Sequence, residues 1–76
     1  MDRIIIFLIR RKLGLKKNEP FRFRNQNSLY DYYYFNDTNL MKVRYFKRRY
    51  KEPIKSNCSL NHLLSDECEI YTYFTL

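Results

Sequence analysis

The sequence has few residues that interrupt regular structure and few that carry chemistry. It contains one glycine, two prolines, two cysteines and one histidine, and it has no low-complexity tract. With 45% hydrophobic residues, this composition is typical of a folded chain rather than a disordered one. We predict a single domain over residues 1–76, which is too small to enclose a deep active site.

The scarcity of cysteine and histidine bears on metal binding and catalysis. The ligand-type side chains near the end of the sequence are Cys58, His62, Asp66, Glu67 and Cys68. They lack the paired spacing of structural zinc sites, so we interpret the cysteines as small core residues, with a Cys58–Cys68 disulfide as the alternative in an exported protein. The sequence shows no Ser or Cys nucleophile that could act with His62 and an orienting acid as a catalytic group. We therefore predict no enzyme, no cofactor and no metal.

Long apolar runs are also absent. The run over residues 4–9 is far shorter than the roughly 20 residues that cross a bilayer, and no small-residue cleavage site follows it. We therefore expect neither a transmembrane nor a secretory segment. This run can lie in a membrane interface or make a dimer contact, but we expect it to cover the protein's own sheet and we expect no membrane partner.

Basic residues are missing from one end of the chain. Residues 56–76 contain three acids and no base, whereas residues 1–55 contain all 15 lysines and arginines with five acids. The net charge of +7 predicts an acidic partner, which is nucleic acid, an anionic membrane or an acidic protein groove. The acidic end is expected to lie beside a basic face made by the rest.

Aromatic residues are abundant, with eight tyrosines and six phenylalanines. Two runs rich in them, residues 29–35 and 40–46, flank the polar turn formers of residues 36–39 and predict a β-hairpin. Strand periodicity divides its residues into a face of Leu29, Tyr33 and Phe35, an opposite face of Tyr30, Tyr32 and Tyr34, and a core row of Met41, Val43 and Tyr45. The opposite tyrosine row is either a ligand platform or is packed under another segment.

Residues 2–13 are predicted to form a helix, with a strand as the alternative because of the isoleucines. Its expected buried arc consists of Ile4, Ile5, Leu8, Ile9 and Leu13, with Phe7 outside it. Gly14 is expected to supply a left-handed C-terminal cap.

Further short elements complete the expected fold. Residues 21–24 and 68–76 alternate as strands, and Ser59 is expected to cap a helical turn over residues 60–65. Its Leu60, Leu63 and Leu64 are expected to close the end of the sheet. The fold class is α+β: an N-terminal helix packed on a curved four-stranded antiparallel sheet, with a short helical turn before the last strand. A partly closed small barrel fits the same pattern.

Basic and aromatic residues alternate in the segments that form the candidate partner-binding surface. Its members are Arg22, Arg24, Lys42, Arg44, Lys47, Arg48, Arg49, Tyr50 and Lys51. Such cations pair with phosphates, and exposed tyrosines stack on unpaired bases. The alternative is a solvated edge that protects a small sheet from aggregation.

Three segments, residues 13–15, 19–21 and 59–64 leading to Glu69 and Ile70, resemble small proteins of phages and mobile elements of low-GC bacteria. Some phage proteins of this size are anti-CRISPR or other anti-defence inhibitors that occupy a nuclease surface. The resemblance implies a partner protein in the cytoplasm of a bacterial host cell, and it transfers no functional residue.

Two functions follow as hypotheses. The first is a phage-type interaction protein, a monomer or dimer, that binds a host protein such as a CRISPR nuclease at a groove that normally accepts nucleic acid. The second is direct binding of DNA or RNA by the same residues. A minor virion or assembly component is a third reading, which predicts a stable homo-oligomer.

Overall fold

A computed structural model describes residues 3–74, apart from the side chain of Leu60. Its elements are α1 (Arg3–Lys12), β1 (Arg22–Phe23), β2 (Tyr32–Phe35), β3 (Leu40–Val43), β4 (Tyr45–Phe46), β5 (Arg49–Tyr50), β6 (Ile54–Lys55), α2 (Leu60–Leu64) and β7 (Ile70–Tyr71). The α+β class with an N-terminal helix and antiparallel strands is confirmed. The single four-stranded sheet is wrong, because the strands form three small sheets: β1–β7, β2–β3–β6 and β4–β5.

Two local interruptions explain the division of the sheet. Between β1 and β2 there is one bridge, Phe21 to Tyr33, and the next amide on that side, that of Phe23, donates to the side chain of Gln26 instead of extending the ladder. After β3 the amide of Tyr45 donates to the side chain of Asp31 rather than to a neighbouring strand. The chain therefore leaves the ladder and forms a separate hairpin, while β6 pairs with the free edge of β3.

The β2–β3 hairpin is confirmed. Its register pairs Tyr32 with Val43 and Phe35 with Leu40. The loop is closed by the side-chain carbonyl of Asn36, which accepts from the amides of Thr38 at 2.9 Å and Asn39 at 2.7 Å. Asparagine commonly makes such side-chain turns, so the turn formers in the sequence predicted this loop correctly.

The predicted core row of β3 is wrong. Pairing with Phe35 places Leu40 on the core face, where it is 2% exposed. Val43 is buried but lies on the other face, opposite Tyr32, outside the main core cluster. Leu29 is also misassigned: it precedes the ladder and is 66% exposed. The core cluster consists of Ile6, Ile9, Leu15, Phe21, Phe23, Tyr33, Phe35, Leu40 and Leu63.

Helix α1 confirms the helix prediction and its cap, but not its buried arc; residue 2 lies outside the described residues. Gly14 has a φ of 71°, and the amide of Leu15 donates to the carbonyl of Arg10, as in a Schellman cap. Ile6 and Ile9, three residues apart, enter the core. Of the predicted arc, Ile4, Ile5 and Leu8 are exposed, because this core meets only a narrow side of the helix.

The short helix α2 confirms the predicted cap, since Oγ of Ser59 accepts from the amide of His62 at 3.2 Å. Leu63 is fully buried, whereas Leu64 is 49% exposed. Nζ of Lys12 donates to the carbonyl of Leu64, which ties α1 to the end of α2. The predicted closing strand is limited to Ile70–Tyr71, and residues 75–76 lie outside the description.

Candidate basic hairpin and adjoining groove

The strands β4 and β5 form a tight hairpin, which with its flanking residues we call the basic hairpin (residues 44–51). Tyr45 pairs with Tyr50 and Phe46 with Arg49, so Lys47 and Arg48 alone make the turn. Their φ angles of 53° and 64° are both left-handed, as in a type I′ turn. Such turns favour Asn-Gly, and side chains in this conformation cost about 1 kcal/mol or more each. Strain of this kind is typical of functional segments.

The cations of the basic hairpin are exposed and lack acidic partners. They are Arg44, Lys47, Arg48, Arg49 and Lys51. No carboxylate of residues 3–74 forms an ion pair with any of them. Nζ of Lys47 and Nζ of Lys51 lie 5.5 and 5.8 Å from the ring centroid of Phe46, which is 58% exposed. The surface therefore combines unpaired positive charge with an accessible aromatic ring.

Arg22 does not belong to this surface and is removed from the predicted site. It is 8% exposed, and its Nε donates to the carbonyl of Asp31 at 3.2 Å. Its Nη2 donates to the carbonyl of Tyr30 and to the hydroxyl of Tyr50, and its Cζ lies 4.0 Å from the ring centroid of Phe74. The buried side chain of Arg22 therefore joins β1 to residues 30–31 and to Tyr50, and it is not exposed for contact with a partner.

Arg24, Lys42 and Tyr50 also differ from the exposed cations. Arg24 is exposed but pairs with Glu69 at 3.6 Å, so one acid near the chain end neutralises a base as expected. Nζ of Lys42 lies 3.9 Å from the carboxylate of Asp31. Tyr50 is half-buried and packs against Tyr32 of β2, so it anchors the basic hairpin to that strand.

Of the predicted tyrosine face, Tyr32 is packed under the basic hairpin and Tyr30 contacts it from an exposed position. Ring centroids are 5.0 Å apart for Tyr45 and Tyr50, 5.1 Å for Tyr32 and Tyr50, and 5.3 Å for Tyr30 and Tyr45. Burial raises the pKa of the Tyr32 hydroxyl, and the neighbouring hydroxyls of Tyr50 and Tyr34 raise it further. The prediction that this row packs under another segment therefore holds for Tyr32, whereas Tyr30 is 62% exposed.

A groove adjoins the basic hairpin and consists of two depressions, of about 390 and 530 Å³, that share Ser28, Asp31 and Arg44. The first is lined by Phe23, Asn25, Asn27, Tyr33, Lys42 and His62, among others. The second is lined by Tyr45, Phe46, Lys51 and Ile54, among others. Aromatic faces, side-chain amides and cations thus line one continuous surface, together with the acids Asp31 and Glu52. Away from those two acids, such a lining suits flat polar rings joined by anionic groups.

Sequence reasoning missed the contribution of residues 25–28 and of His62 to this groove. The ring of His62 lies 5.6 Å from that of Phe23, although the two residues are far apart in the chain. The run of asparagine and glutamine at 25–27 indicated a turn, and no local signal placed it beside α2. The side-chain amides of Asn25 and Asn27 make no hydrogen bond with the described residues.

Cys58 and Cys68 are free thiols that pack, half-buried, against the core. Burial raises the pKa of both thiols; the nearby Cys68 adds to the effect at Cys58, and Lys12 opposes it at Cys68. Within residues 3–74 no three side chains of the ligand type lie close enough to hold a metal ion.

Comparison of the chain with protein-family models, curated proteins and solved structures finds no match. The similarity to phage proteins therefore stays a prediction. Among residues 3–74, no helix has the length and apolar character needed to cross a membrane.

Proposed function

We propose that this protein is a non-catalytic binding protein that holds single-stranded nucleic acid on the basic hairpin and its groove. The observation that carries the proposal is the set of five exposed cations without an acidic partner in the described chain. Phosphates would neutralise this charge and release counterions, which favours binding. The backbone strain at Lys47 and Arg48 supports a role for these two side chains in binding nucleic acid, because strained residues cluster at functional segments.

The groove favours single strands over duplex. Unpaired bases can stack on exposed aromatic rings such as Phe46, and each stack contributes about 1–3 kcal/mol. The free amides of Asn25 and Asn27 can pair with the Watson–Crick edges of unpaired bases, which base pairing occupies in a duplex. Arg44 lies where the two depressions meet. A nucleic-acid backbone that contacts Arg44 would therefore place bases in both depressions.

Fluorescence anisotropy with labelled single-stranded DNA, single-stranded RNA and duplex DNA tests the proposal. The double variant Arg48→Glu/Arg49→Glu should abolish binding to single strands without changing the melting temperature. The matched control Arg11→Glu/Lys16→Glu changes the net charge equally on another surface and should bind nearly as the parent does. No binding by the parent protein, or equal loss in both variants, would refute the proposal.

A second candidate is the phage-type inhibitor that occupies an acidic groove of a host protein, such as a CRISPR nuclease. The observation that favours it is an apolar pair inside the cationic surface: Phe46 is 58% and Ile54 48% exposed, and both line the second depression. Aromatic and arginine side chains commonly dominate protein interfaces. A pull-down from bacterial lysate distinguishes the two, because a protein partner is retained after nuclease treatment and a nucleic acid is not.

A further inference from the structure

The outward side of α1 exposes large apolar side chains to water. Ile5, Phe7 and Leu8 are 39%, 48% and 57% exposed, while Ile6 and Ile9 anchor the helix in the core. Water around such side chains is unfavourable, and a cluster of them on one element commonly marks an interaction surface. This surface belongs to the first helix and is distinct from the basic hairpin.

A shallow depression of about 310 Å³ lies beside these side chains. It is lined by Phe7, Arg10, Arg11, Leu15 and Lys16. None of its three bases forms an ion pair with a carboxylate of the described chain. Cζ of Arg10 lies 5.7 Å from the ring centroid of Phe7, so positive charge directly borders the apolar surface.

We propose that α1 lies in the interface of an anionic phospholipid bilayer. Phe7 and Leu8 enter the boundary between head groups and acyl chains, and Arg10, Arg11 and Lys16 contact lipid phosphates. The helix has 10 residues and is about 15 Å long, so it lies along the surface instead of crossing it.

Charge decides between a lipid and a second copy of the chain as the occupant. Two copies joined through this surface would bring their basic clusters together in a protein that already carries a net charge of +7. An anionic bilayer offers opposite charge beside an apolar layer. The proposal does not depend on nucleic-acid binding, which uses other residues.

Flotation with vesicles tests this assignment, using phosphatidylcholine alone and phosphatidylcholine mixed with phosphatidylglycerol. The parent protein should float with the anionic vesicles and less so at high salt. Phe7→Gln/Leu8→Gln should lower its partition coefficient by about tenfold or more, and Arg11→Glu/Lys16→Glu should lower it similarly. The control Leu29→Gln, at another exposed leucine, should float as the parent does.

Several outcomes would overturn the proposal. They are no flotation with anionic vesicles, equal flotation with neutral ones, or unchanged flotation of Phe7→Gln/Leu8→Gln with its helical circular dichroism retained. Light scattering tests one further outcome. If the parent protein is a dimer and Phe7→Gln/Leu8→Gln is a monomer, the exposed side of α1 binds a second copy of the chain and the proposal is wrong.

Discussion

Oδ1 of Asp31 accepts a hydrogen bond of 2.8 Å from the backbone amide of Tyr45. Asp31 is 5% exposed and lies just before β2, while Tyr45 is the first residue of β4 in the basic hairpin. The contact therefore fixes the basic hairpin beside the start of β2. It uses a charged acceptor, which makes such hydrogen bonds stronger than those between neutral groups.

Asp31→Ala should lower the free energy of unfolding by about 1–3 kcal/mol, because the amide of Tyr45 loses its buried acceptor. Asp31→Asn keeps a side-chain oxygen and should lose less. Urea unfolding of the two variants measures the difference. Equal stability of Asp31→Ala and the parent protein would show that this contact does not hold the hairpin.

Arg22→Met should destabilise the protein by about 2 kcal/mol, since a buried guanidinium with three hydrogen bonds is lost. Arg24→Met is the matched control on the same strand segment, and its exposed side chain should contribute less than about 1 kcal/mol. Thermal and urea unfolding compare the two. The prediction fails if Arg22→Met is as stable as the control variant.

These two arginines show where the sequence was informative and where it was not. Strict alternation of Phe21, Arg22, Phe23 and Arg24 predicted both arginines in water. The side of Arg22 is covered by Tyr50 and Phe74, which lie far along the chain. The two-residue periodicity of a strand distinguishes its two faces, but it does not indicate whether another part of the chain packs against the second face.

Local signals, by contrast, predicted local structure well. Gly14 is the one glycine and adopts the left-handed cap, and Ser59 accepts the capping hydrogen bond. The side of α1 that enters the core was not predictable in this way, because every residue from 4 to 9 is apolar. Likewise, β6 pairs through contacts that its own sequence does not indicate.

Replacing Lys47 and Arg48 by Asn and Gly should stabilise the hairpin by about 1–2 kcal/mol, because these residues accept the left-handed turn at low cost. The same change removes two cations and should weaken binding to single-stranded nucleic acid. Unfolding and anisotropy of one preparation measure both effects. A destabilised variant would contradict the assigned turn strain.

We expect the free energy of unfolding to fall at alkaline pH because of the Tyr32 hydroxyl. Its pKa is raised in the folded state above the ordinary value of about 10, so its contribution is fully present below that pH. The contribution is lost as the pH rises through the folded-state pKa, because ionisation then favours the unfolded chain. Tyr32→Phe should lose less stability between about pH 8 and pH 11, measured by urea unfolding. An identical loss in the variant would contradict this origin.

The salt dependence of single-strand binding tests the central claim most directly. If the five unpaired cations of the basic hairpin contact phosphates, the logarithm of the affinity should fall with the logarithm of salt concentration with a slope of about −3.5. Arg48→Glu/Arg49→Glu should reduce that slope by at least about 1. A slope near zero, or one that this variant leaves unchanged, would show that the basic hairpin does not bind phosphates.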